Sequence, residues 1–242
     1  MIRIENLTKQ YGKLTALDHL NLQIREGELF ALLGVNGAGK TTTIKLLSCL
    51  AKPSGGTAIV GGFDVTEDPL AVKRIIAVSP QQTAVAPNLT VKENLELICG
   101  VHGYSRKDST EMTQRMLEEF GLQEIASSRA KTLSGGWQRR LSIAMALISN
   151  PKVLFLDEPT LGLDVLARRE LWNVIRGLKG KVTVVLTTHY LEEAEALCDR
   201  IAVMAKGRLT ALGTVEELKT LTGTDCLEDA FIALNEKGGE AK

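Results

Sequence analysis

The sequence has no apolar run long enough to cross a bilayer. Its longest candidate, LSIAMALI at 141–148, falls far short of the roughly 20 residues a spanning helix needs. The opening MIRIENLTKQ has no apolar signal core. A cytoplasmic chain is therefore expected, reaching any membrane through a partner. There is no excess charge either: Lys and Arg total 29, Asp and Glu total 29, and the formal net charge is +0. That balance disfavours a partner held by non-specific electrostatics, so no nucleic acid is expected. Cysteine is scarce, with Cys49, Cys99, Cys198 and Cys226 scattered, no C-x-x-C and no nearby histidine. Disulfide and metal roles are disfavoured, and buried free thiols are expected.

What the sequence does have is hydrophobic content, 44% of 242 residues. That suffices for one large domain, or one domain with an inserted subdomain. Its organising stretch runs from Glu28 to Leu50. Leu29–Leu33 is an apolar run, a Gly-rich turn follows, and Ile44, Leu47 and Leu50 stripe a helix. Gly34, Gly39, Lys40 and Thr41 fill the pattern G-x-x-x-x-G-K-[ST] between strand and helix, the context of a phosphate-binding P-loop. The glycines let the backbone approach an anion, and the loop N–H groups with the helix N-terminus supply positive charge. Lys40 reaches β- and γ-phosphates, and the Thr41 hydroxyl, with Thr42 following, can ligate Mg²⁺.

Upstream, Leu20, Leu22 and Ile24 alternate with polar residues, as in a half-buried strand. Tyr11 closes an earlier strand pattern; it can present its ring to a purine or serve as an ordinary turn aromatic. Ile75–Val78 reads as a buried strand ending at Gln81 and Gln82. Either glutamine can reach Mg²⁺ or water there, although two solvated loop residues is the simpler local reading. From about 85 to 150 the texture turns helical. Thr90 with Glu93, and Asp108 with Glu111, fit capping boxes, and Met112, Met116 and Phe120 form one packed helix face. Ser134-Gly135-Gly136 precedes another helix. It can hold a second anion, or Ser134 can simply be the N-cap, which local evidence favours.

Val153–Leu156 reads as a strand buried on both faces, ending in Asp157 and Glu158. Asp157 is placed to hold Mg²⁺, and Glu158 to orient or deprotonate a water attacking the γ-phosphate. Asp164 precedes a helix as its N-cap. Val182–Leu186 is a further buried strand with Thr187, Thr188 and His189 just beyond it, where a histidine can contact a γ-phosphate. Short helical patterns span 215–221 and 227–234, and the end, EKGGEAK, is expected to fray.

Taken together these residues resemble the ATP-binding subunit of ABC transporters over nearly the whole chain. Gly34-Val35-Asn36-Gly37-Ala38-Gly39-Lys40-Thr41 resembles its Walker A motif, Gln81 its Q-loop glutamine, and LSGGW its signature motif. VLFLDE resembles Walker B with the catalytic glutamate, LGLD the D-loop ending in Asp164, and His189 the H-loop; Tyr11 falls at the adenine-stacking position. LSGGW departs from the commoner LSGGQ at Trp137, beside the residues placed on the nucleotide. The resemblance implies an α/β fold: a P-loop NTPase (RecA-like) core with an N-terminal antiparallel β subdomain and an inserted helical subdomain. The core is expected at 1–84 and 151–213, the insertion at 85–150 and a helical tail at 214–242. ATP and Mg²⁺ are the implied cofactors. Lys40, Gln81, Glu158 and His189 carry catalysis, Thr41, Gln81 and Asp157 hold the metal, and Ser134, Gly135, Gly136 and Asp164 contact nucleotide on a second subunit. The implied partners are that subunit, in a homo- or heterodimer, and an integral-membrane permease; the chain would lie on the inner face of the membrane. The short tail resembles that of ABC-2 type exporters. The alternative is a soluble ABC ATPase acting on ribosomes or DNA.

Overall fold

A computed structural model describes residues 1–240. The chain opens with a hairpin, β1 (Ile2–Tyr11) and β2 (Leu14–Ile24), then β3 (Leu29–Leu33) and α1 (Lys40–Leu47). Next come β4 (Gly55–Val60), β5 (Phe63–Asp64), α2 (Pro69–Ile75) and β6 (Ile76–Ser79). Three longer helices follow, α3 (Val91–Val101), α4 (Arg106–Glu119) and α5 (Gly135–Leu147). The chain then returns through β7 (Val153–Asp157), α6 (Val165–Arg176), β8 (Thr183–Thr188), α7 (Leu191–Leu197), β9 (Arg200–Ala205) and β10 (Arg208–Gly213). It closes with α8 (Val215–Thr222) and α9 (Leu227–Glu240).

Two sheets result. The antiparallel one runs β2-β1-β4-β5, and the mixed one β10-β9-β3-β8-β7-β6, parallel except for β10. Strands β3, β7 and β8 are buried along their whole length, as apolar runs without alternation require. Their pleat feeds two cores. Phe30, Leu32, Val153 and Phe155 face the antiparallel sheet with Ile2, Ile4, Leu20 and Leu22, whereas Leu29, Ala31, Leu33, Leu154 and Leu156 join the helical side with Leu95, Met116 and Phe120. Each such large apolar side chain gains about 1.5–3 kcal/mol on full burial. The β3 strand is thus pinned on both faces, which fixes the turn it hands on to α1.

The structure corrects several local expectations. Helix α1 stops at Leu47, and Leu50 lies beyond it, 66% exposed; the Leu50 and Ala51 N–H groups both turn back onto the Lys45 carbonyl and wind the helix up. The box at Thr90 and Glu93 forms, but the next helix starts one turn before Asp108. Ser105 is its N-cap, accepting from the Asp108 N–H at 3.2 Å and donating to the Asp108 carboxylate at 2.7 Å. Thr187 and Thr188 are strand residues rather than loop. Only Cys99 is buried; Cys226 is exposed and Cys49 and Cys198 lie between. At the end expected to fray, α9 runs through Glu240, and residues 241–242 lie outside the described residues. Among the described residues no helix is long and apolar enough to cross a membrane.

Candidate active site

The carboxyl ends of β3, β8, β7 and β6 lie side by side, and the chain leaving each contributes to one site. After β3 the loop turns back, and the Gly34 N–H donates to the Thr188 carbonyl at 3.3 Å. Two glycines here admit no side chain. A Cβ on Gly34 would sit 2.5 Å from the Met204 carbonyl, and Gly39, at φ +102°, would put one 2.8 Å from the Ala16 carbonyl. The Lys40 side chain curls into the loop and donates to the Gly34 and Val35 carbonyls at 2.8 and 3.2 Å. Burial pushes its pKa down, while Glu158 and Asp157 pull it back up.

Asp157 and Glu158 are buried at the end of β7, not solvated loop acids. Asp157 Oδ1 accepts from the Thr41 hydroxyl at 3.0 Å and from the Thr187 hydroxyl at 2.6 Å. Glu158 adopts a left-handed backbone, φ +46°, rare for a residue with a side chain. Its N–H donates to the Thr187 carbonyl and hydroxyl at 3.1 and 3.0 Å. Its carboxylate lies 3.6 Å from Lys40 Nζ and 3.3 Å from His189 Nδ1, the latter without hydrogen-bond alignment. The backbone turn thus swings Glu158 away from Asp157 and aims it between Lys40 and His189.

A cavity of about 450 Å³ opens over this edge. Tyr11, Asn36–Thr42, Gln81 and Glu158 line it, with Leu14, Thr15 and Ala16 of β2. Of the two glutamines, then, Gln81 faces it. Its loop is held from behind by the buried Arg139 of α5, which donates to the Pro80 and Gln81 carbonyls. Tyr11 is half-exposed at the mouth, with Lys9 Nζ 4.9 Å above its ring. Ser134, Gly135, Gly136, Asp164 and His189 do not line this cavity. Ser134 holds the N-cap position of α5, yet its hydroxyl makes no capping bond. Asp164 does cap α6, accepting from the Ala167 N–H at 2.9 Å. The Arg140 guanidinium stacks on Trp137, its Cζ 4.4 Å from the ring centroid, and pairs with Glu170 of α6.

The residues fit a nucleoside triphosphate with Mg²⁺. The loop is closed to Cβ atoms, the ammonium sits inside it, and the Thr41 and Asp157 oxygens are hard donors within 3.0 Å of each other. Sequence reasoning gave no role to Leu14–Ala16, Thr187 or Arg139. Thr187 was flagged only by following an apolar run, and the others carry no local signal.

A P-loop between a buried strand and a helix, with an Asp-Glu pair closing the strand two places along the sheet, defines a P-loop NTPase. The sequence model of the family described as ABC transporter matches residues 17–161. The chain belongs to the ABC transporter family, in which it is an ATP-binding and ATP-hydrolysing cassette. It is similar to the daunorubicin/doxorubicin resistance ATP-binding protein DrrA of Streptomyces peucetius, 44% identical over 93% of this chain and 69% of that protein. It spans 41% of the probable multidrug ABC transporter ATP-binding protein YbhF of Escherichia coli (strain K12), at 42% identity, and 9% of human ATP-binding cassette sub-family A member 2, at 46% identity. In three dimensions it is similar to an ATP-binding subunit of an ABC transporter, with TM-score 0.85 and 30% identity over 97% of this chain and 99% of that one. The dimeric, post-hydrolysis cassette MJ0796 bound to ADP and Pi also superposes, with TM-score 0.77 and 30% identity over 88% and 98% of the two chains.

Proposed function

We propose that this cassette powers export through a separate integral-membrane permease, as one half of an ATP-driven dimer on the inner face of the membrane. DrrA is named for drug resistance, and the MJ0796 cassette is dimeric, which supports both parts of the reading. The loop from Gly34 to Gly39 and Lys40, with Thr42, bind the phosphates, and Tyr11 covers the adenine. Thr41, Asp157 and Gln81 would hold Mg²⁺, which when bound neutralises phosphate charge. Glu158 takes the proton of the attacking water, and its aim between Lys40 and His189 suits that task. His189 and Gln81 sense the γ-phosphate from two sides.

The observation that carries the dimer is Ser134. Its hydroxyl and the N–H groups of Gly135 and Gly136 sit at a helix N-terminus, uncommitted to a cap and outside their own chain's cavity. That suits closing over a nucleotide on a second subunit, with Asp164 beside it. Binding that is tighter in the closed pair shifts the population toward closure. For the permease, an apolar groove of about 270 Å³ between β6, α3 and α5, lined by Ile76, Val78, Ile98 and Met145, offers a seat beside the Gln81 loop.

Two measurements test this. ATPase turnover in Glu158→Gln is expected to fall about 10²–10⁴-fold, the span of a lost general base; undiminished turnover would sink the role given to Glu158. In mixed dimers, a Lys40→Ala chain paired with a Ser134→Ala chain is expected to keep one working site. If Ser134 acts only within its own chain, the shared-site reading fails.

A further inference from the structure

Glu193 has no part in the site as described. It lies in the first turn of α7, four residues after His189, and is 0% exposed. The Trp172 indole N–H of α6 donates to its Oε1 at 3.2 Å. Its Oε2 has no aligned hydrogen bond, and neither has the buried Thr160 hydroxyl. The Thr160 and Thr188 hydroxyls and the Arg168 guanidinium all lie close enough to favour the carboxylate, yet burial outweighs them and holds the acid above its ordinary 4.5. Buried polar atoms are normally paired, so two neighbouring side chains that each leave an oxygen without an aligned bond call for an explanation.

The elements that meet at Glu193 supply it. Thr160 sits in the turn just after Glu158; Thr188 ends β8 next to His189; Trp172 and Arg168 belong to α6, whose N-cap is Asp164. We infer that Glu193 is a positioning residue for ATP hydrolysis, tying the turn that carries Glu158 to the helix that faces a second subunit. A small shift of the turn aligns the Thr160 hydroxyl with Glu193 Oε2. Docking of the second subunit against that turn thereby completes the bond and fixes Glu158 at the attacking water. This rests on the dimeric ATPase reading above.

The test is steady-state ATPase activity of the full chain, with kcat and KM for ATP separated, beside thermal unfolding. Glu193→Met is expected to lower kcat about tenfold per folded chain while KM stays within about twofold, although the orphaned Trp172 N–H lowers Tm. Glu193→Gln keeps an acceptor for Trp172 and offers a donor to Thr160, so kcat is expected within about twofold of the parent. Thr160→Val should lower kcat as Glu193→Met does, and it carries the decision if Glu193→Met does not fold. Parental kcat in Glu193→Met or Thr160→Val overturns the proposal. So does a Glu193→Gln chain as slow as Glu193→Met, or a loss of kcat that vanishes when turnover is counted per chain folded at the assay temperature. Failure of the underlying reading shows elsewhere, as undiminished turnover in Glu158→Gln.

Discussion

Thr187 joins the two acids of the site more tightly than any other residue. One hydroxyl donates to Asp157 and accepts from the Glu158 N–H. A left-handed non-glycine backbone costs on the order of 1–3 kcal/mol, and the Glu158 N–H bonds to the Thr187 hydroxyl and carbonyl help to hold Glu158 in it. Thr187→Val keeps the shape and removes both hydroxyl bonds. We expect it to lose about 1–3 kcal/mol of stability by urea unfolding and about tenfold in kcat. At Glu193 the prediction concerns pH. Burial raises its pKa above 4.5, so the folded chain keeps a proton that the unfolded chain releases. That contribution to stability is complete below 4.5 and is lost as pH rises toward the folded-state value. Unfolding midpoints of the parent, measured upward from that pH, should decline relative to those of Glu193→Gln; parallel curves would refute the shift. Neither threonine nor glutamate announced itself in the sequence, because each acts through partners distant along the chain.

At the scale of elements, local chemistry was legible where a side chain answers its own backbone. The Thr90–Glu93 box is such a case. The helix α4 start was misplaced because a Ser with an Asp three residues on also caps, and Ser105 took the position. Ser105→Ala should cost about 1 kcal/mol, read by thermal or urea unfolding. The Met112, Met116, Phe120 face packs as its spacing indicates. The P-loop shows the other kind of constraint. At Gly39 a side chain meets β2 of the antiparallel sheet, not anything in the loop. Gly39→Ala should therefore displace the loop from β2 and weaken ATP binding by about 5- to 150-fold by titration calorimetry, the equivalent of roughly 1–3 kcal/mol of strain. Unchanged affinity would show that the loop tolerates the shift.

For the whole molecule, the groove beside the Gln81 loop makes a prediction that separates coupling from chemistry. Val101 of α3 is 73% exposed, next to groove-lining His102. Val101→Glu should leave the ATPase rate of the chain alone unchanged and reduce its stimulation by the permease; equal stimulation would place docking elsewhere. The sequence by itself determined the P-loop, the acid pair, the buried strands and the amphipathic helices. Each is written in the spacing of neighbouring residues, and spacing reports a segment's own burial and turns. Only the tertiary structure decided which strands lie together. The order β3-β8-β7-β6 brings Lys40, His189, Glu158 and Gln81 to one edge from distant positions in the chain. It also fastens Gln81 from behind with Arg139, gathers Trp172, Thr160 and Thr188 around Glu193, and leaves Ser134 outside its own chain's cavity. Strand order is set by hydrogen bonding and packing between segments far apart, and no local pattern encodes it.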